Sequence, residues 1–159
     1  MKRQTLIVIV SALVCGYGLF LAIGEAESNR PEESVAGQRN ISEQVVFLYY
    51  SDLDKAGHFY ESVMGFEKTY ELEWVKIYST NQGAAVGIVD EKKGFLREAQ
   101  EKPVMLSWVT DDVDGWHRYL KDKGVEIKTE PKDTAETGIR SFIFLDPGGY
   151  TLEFFSWTR

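Results

Sequence analysis

Glu153 is the residue from which chemistry could start. It lies in Phe142–Phe155, FIFLDPGGYTLEFF, which reads as two strands joined by a tight turn, with one carboxylate set among apolar neighbours in the second strand. A carboxylate so placed can accept hydrogen bonds, hold a cation or take a proton as a general base. Other reactive side chains are scarce: the chain has two histidines, His58 and His117, and one cysteine, Cys15. His58 falls off the apolar stripe of a helical segment and is expected to be solvated. His117 follows Val113 by four residues and borders a buried face, so packing is its expected role. Cys15 sits in an N-terminal apolar run, which leaves the rest of the chain without a thiol, a disulfide or a cysteine metal site.

The elements that must position Glu153 occur twice. Gln44–Tyr50, QVVFLYY, reads as a buried strand. Asp52 then caps a helix running to Met64, with Leu53, Ala56, Phe59 or Tyr60, and Val63 on one face and Gly65 as its stop. Strands are predicted at 67–73, 75–79 and 84–89, with Asn81-Gln82-Gly83 as a turn, followed by a charged connector over 90–102. The order then starts again. Residues 104–110 form a strand, and Asp112 caps a helix carrying Val113, Trp116 and Leu120, which Gly124 stops. Three more strands are predicted at 125–128, 140–145 and 150–156. The paired landmarks Asp52/Asp112, Gly65/Gly124 and Gly83/Gly149 lie 60, 59 and 66 residues apart. Shared order at a nearly fixed offset marks two copies of one unit.

Taken together, SDLDKAGHFYESVMGF in the first copy, TDDVDGWHRYLKDKGVEI in the second and FLDPGGYTLEFF at the end resemble the vicinal oxygen chelate superfamily. That group includes glyoxalases, bleomycin resistance proteins and extradiol dioxygenases. The resemblance implies an α+β fold over residues 42–157, with two βαβββ modules (about 42–90 and 103–157) whose curved mixed sheets enclose a cleft. It further implies that the cleft is often built at a homodimer interface. Enzymes of the superfamily hold a divalent metal through the first and fourth strands of each module. Carried over, those positions are Val45, Gly87, Met105 and Glu153, of which only Glu153 offers a ligand for such an ion. No metal site, catalytic residue or cofactor is therefore expected, and binding is favoured over catalysis.

Period-two alternation extends the cleft lining to Phe47, Tyr49, Ser107 and Phe155, beside Val45, Gly87, Met105 and Glu153. Thr151 and Val109 share these faces, and Trp74, Tyr78 and Trp157 are candidates for the rim. Leu106, Trp108, Leu152 and Phe154 face the helices as core. The lining reads apolar and aromatic with one acid, which suits a flat or cationic small molecule. Two other readings remain open: a metal-dependent lyase, isomerase or dioxygenase using Glu153, and a tethered protein-interaction module.

Composition bounds these readings. The 159 residues are one domain's worth, and 43% hydrophobic content is enough to build a core. A net charge of −7 argues against a nucleic-acid footprint, which needs clustered Lys and Arg. Lys2 and Arg3 precede an uncharged run from Leu6 to Ile23. As a helix that run spans roughly 27 Å, close to the ~30 Å of a hydrocarbon core. Residues 1–27 thus read as a cleaved signal peptide or a retained membrane anchor, and 28–41 as a polar spacer. Either way the domain is expected on the outer side, exported to the periplasm or medium or held at the membrane.

Overall fold

A computed structural model describes residues 42–81 and 83–158. The expected signal or anchor (1–27) and the spacer (28–41) lie outside the described residues. Among the described residues no helix is long and apolar enough to cross a membrane.

The first module runs β1 (Gln44–Tyr50), α1 (Leu53–His58), β2 (Glu67–Leu72), β3 (Val75–Asn81) and β4 (Ala84–Asp90). The second runs β5 (Met105–Val109), α2 (Val113–Asp122), β6 (Lys132–Thr134), β7 (Ile139–Leu145) and β8 (Thr151–Trp157). Each module makes one four-stranded sheet, in the orders β1-β4-β3-β2 and β5-β8-β7-β6. In both, the first strand pairs parallel with the fourth and the remaining pairs are antiparallel. A parallel pair needs a crossover, and the helix supplies it.

Local chemistry explains the helices. Asp52 accepts the Lys55 N–H at 2.9 Å and Asp112 the Gly115 N–H at 2.8 Å, so each helix starts on a carboxylate cap. Gly65 and Gly124 follow the helices at positive φ, 72° and 74°. The first helix does not stay α-helical. From Phe59 to Val63 it widens into a π turn, closed by Met64 N–H to the Phe59 carbonyl at 2.9 Å. Where an α-helix would turn only one of Phe59 and Tyr60 inward, this wider turn buries both.

One core joins the modules. Leu48, Tyr78 and Ile88 from the first sheet meet Phe142, Leu152 and Phe154 from the second, and Ala56, Tyr60, Val113 and Leu120 come from the helical segments. Tyr78 is fully buried here, which removes it from the rim where the sequence had placed it as a candidate. A second correction concerns the second strand of module two. Residues 125–128 make only an isolated bridge, Ile127 to Phe144, and the edge strand is Lys132–Thr134. The chain does follow β7 there, with Lys128 and Thr129 N–H both directed at the Ile143 carbonyl. Pro131, which has no N–H and restricts Glu130, then interrupts the edge before pairing resumes.

Candidate functional site

Register fixes what each sheet shows on the face away from the helices. In module one the rungs are Val45–Ala85–Ser79, Phe47–Gly87–Ile77 and Tyr49–Val89–Val75, with Tyr70 and Leu72 continuing onto β2. In module two they are Met105–Thr151–Leu145, Ser107–Glu153–Ile143 and Val109–Phe155–Ser141. The alternation read from sequence therefore holds, and all eight expected lining residues lie on these faces. Leu152 and Phe154 are buried, and Leu106 and Trp108 pack against the core as half-buried neighbours.

The two modules differ at equivalent rungs. In module two Ser107 Oγ donates to Glu153 Oε2 at 2.7 Å, and Glu153 as a residue is only 8% exposed. Ser107 is the side chain bonded to Glu153, whereas Arg140 of the adjacent β7 grips Asp114 at 2.7 and 2.9 Å. In module one the matching pair is Phe47 and Gly87. A β-carbon on Gly87 would lie 2.3 Å from Cδ1 of Phe47, so the Phe47 ring lies flat across the space that a side chain at position 87 would need. A polar pair in one half thus corresponds to an aromatic ring on bare backbone in the other. Among the described residues no three His, Cys, Asp or Glu side chains gather as an ion would require.

Cavities divide the eight residues into groups. Phe47 and Tyr49 line one of about 380 Å³ on the open face of module one, with Tyr70, Trp74, Lys93 and Phe95. Val45 lines a neighbouring one of about 390 Å³ with Thr69 and Ser79. Met105 and Ser107 border a larger one of about 580 Å³ at the seam between β5 and the start of β1, floored by Phe66, Trp108 and Trp116. Glu153 lines none of these three. Phe155 packs edge-on against Trp157, ring centres 5.2 Å apart. Both histidines stand apart from these faces. His58 is exposed on α1, and His117 is buried on α2 against Phe142, its Nε2 3.1 Å from Glu130.

Sequence reasoning missed two groups. Lys93, Gly94 and Phe95 lie in the connector read only as charged, and no local periodicity points them at a sheet. Asp146, read as part of a turn, is a buried carboxylate whose Oδ2 accepts the hydroxyls of Tyr50 and Tyr60. Its Oδ1 takes the N–H groups of Gly148 and Tyr150 at 2.9 and 2.8 Å. Burial pushes the Asp146 carboxyl above its ordinary value, while these hydrogen bonds oppose the rise. Burial also drives both phenols well upward, so they remain protonated donors.

Paired βαβββ units with this strand order define a glyoxalase-like α+β protein. The model of the Glyoxalase/Bleomycin resistance protein/Dioxygenase superfamily matches residues 43–154, and the chain belongs to that superfamily. Among curated proteins it is 29% identical over 119 residues to the uncharacterized protein YraH of Bacillus subtilis, covering 68% of this chain and 92% of YraH. A glyoxalase/bleomycin resistance protein/dioxygenase from Nocardioides superposes with a TM-score of 0.64 at 19% identity, over 78% of this chain and 88% of that one. Lactoylglutathione lyase from Agrobacterium tumefaciens gives 0.60 at 20% identity, over 71% and 91%. Identities this low speak for the fold alone.

Proposed function

We propose that this chain is a metal-independent member of its superfamily that binds a small, flat organic molecule on the aromatic face of module one without turning it over. The observation that carries this reading is the Phe47 ring lying over Gly87. A divalent ion needs several nitrogen, oxygen or thiolate donors, whereas Val45, Gly87 and Met105 supply none and Glu153 supplies one carboxylate already bonded to Ser107. The residues present do not fit that ion. They do fit a stacking surface, since Phe47, Tyr49, Tyr70 and Trp74 border one cavity. Glu153 then serves structure, holding β5 to β8 through Ser107.

Metal content tests this directly. Purified protein is expected to carry no stoichiometric divalent ion by elemental analysis. One ion per chain, lost on Glu153→Gln, would instead favour the metal-dependent lyase, isomerase or dioxygenase reading. A thermal-shift screen against planar aromatics is expected to give stabilising hits that Phe47→Ala weakens.

Two further parts of the proposal rest on sequence and exposure. The charged start and apolar N-terminal run support a domain outside the cytoplasm, exported or tethered, which fractionation of cells expressing the full chain checks. Exposed Phe47, Met105, Val109 and Trp157 give the open faces enough apolar surface to favour a homodimer, which sedimentation would show as twice the chain mass.

A further inference from the structure

The connector after β4 is built around an exposed phenylalanine. Asp90 starts it by accepting the N–H groups of Lys93 and Gly94 at 3.1 and 2.8 Å. Arg97 Nη1 reaches the carbonyls of Glu91, Gly94 and Leu96 at 2.7, 2.8 and 3.1 Å. Glu91 takes the Glu98 N–H at 2.9 Å, and Glu98 in turn takes the Ser51 N–H at 2.9 Å, tying the loop to the end of β1. Gly94 lies directly on the sheet: a β-carbon there would sit 2.6 Å from both the Tyr49 ring and Val89. No larger residue allows that approach. The result is Phe95, 93% exposed, held at the mouth of the cavity that Phe47, Tyr49 and Trp74 wall.

Charge at this cavity is one-sided. Of the residues that line it, Lys93 alone is charged, and Glu153 is not among them. The Lys93 ammonium is 2.8 Å from Glu73, with the two side chains 47% and 85% exposed. An ion pair so open to water is weak, and a better-placed carboxylate can replace Glu73. We infer that the cavity takes a planar aromatic carboxylate, its ring between Phe95 and the wall of Phe47, Tyr49 and Trp74, its acid on Lys93. This deepens the small-molecule reading above and rests on it. It also inverts the polarity that a Glu153-centred cleft suggests, since a cation here would meet Lys93.

Calorimetry on the full chain with four probes tests it: 2-naphthoate, 2-naphthamide, 2-naphthylmethylammonium and cyclohexanecarboxylate. Naphthoate is expected to bind roughly tenfold tighter than the amide, a difference of about 1.4 kcal/mol. Lys93→Gln should erase that preference while leaving the amide unchanged, and Glu73→Gln should strengthen naphthoate alone by releasing Lys93. Phe95→Ala should weaken acid and amide alike by roughly tenfold, and cyclohexanecarboxylate should bind worse than naphthoate. Lys93, Glu73 and Phe95 are surface side chains, so these variants keep the core. Equal affinity for acid and amide, indifference to Lys93→Gln, or tighter binding of the ammonium overturns the aromatic-acid assignment and leaves the small-molecule reading standing. Failure of all three naphthyl probes to bind overturns both.

Discussion

At the scale of single residues, the contrast between Gly87 and Glu153 decides how the cleft faces differ. Both occupy the same place in their modules, yet one is covered by a phenylalanine ring and the other is bonded to a serine. Gly87→Ala should therefore force the Phe47 ring aside and destabilise the fold by about 1–3 kcal/mol, as overpacking commonly does. In a Phe47→Ala background the same change should cost less than ~0.5 kcal/mol, because the clash has gone. Urea unfolding of the four proteins in that cycle measures the coupling; an equal cost in both backgrounds would show that Phe47 is not what excludes a side chain there. Glu153 was legible as a buried acid because its neighbours are apolar and alternate. That Phe47 would fill the space over position 87 was not legible, since it depends on a side-chain direction across two strands 40 residues apart in sequence.

At the scale of elements, α2 is fastened to its sheet by a forked ion pair. Asp114 in its first turn receives Arg140 of β7 through Nε and Nη2 at 2.9 and 2.7 Å. The Arg140 guanidinium holds the Asp114 carboxyl below the usual carboxylate range. A folded-state value below the unfolded one of about 3.9 means that the stabilisation is complete above that pH. It is lost as pH falls through the folded value. Both side chains are partly exposed, so screening limits the gain. Asp114→Asn should lower unfolding free energy by about 0.5–1 kcal/mol at neutral pH. Near pH 2 the variant and the parent should converge, and added salt should shrink the neutral-pH difference. Denaturant midpoints across pH and ionic strength check this. The elements themselves were largely readable, because caps, glycine stops and two-residue alternation are local signals. The misplaced edge strand shows the limit: branched residues over 125–128 look like a strand, but pairing there depended on how the chain met β7 on either side of Pro131.

At the scale of the molecule, Asp146 locks one module to the other. Its carboxylate accepts from Tyr50 at the end of β1 and from Tyr60 in the π turn, 96 and 86 residues away in sequence. Beside it, the Tyr150 hydroxyl donates to the Tyr49 carbonyl at 3.1 Å and receives the Tyr49 N–H at 3.0 Å. Asp146→Ala removes the acceptor for two buried phenols and for the N–H groups of the β7–β8 turn. The expected loss is about 3 kcal/mol or more, while Asp146→Asn, which keeps an oxygen for the turn, should lose less. Near-UV circular dichroism and tryptophan fluorescence should still report one unfolding transition, because the modules share a core. Separate transitions for the two halves in Asp146→Ala would show that this carboxylate, more than the packed faces, is what couples them.

The sequence by itself determined the repeat, the strand faces, the capped helices and the burial of Glu153, because each follows from periodicity and residue type within a few positions. It also places Val45, Gly87 and Met105, residue types that offer no donor to a hard divalent ion, where the resemblance to the superfamily implies metal ligands. Only the tertiary structure decided what stands in their place. The Phe47 ring over Gly87, the connector laid on Tyr49 to hold Phe95 at a cavity mouth, and the junction at Asp146 all depend on contacts between segments far apart in the chain. Such contacts are set by how side chains fill shared space, and no local pattern records that.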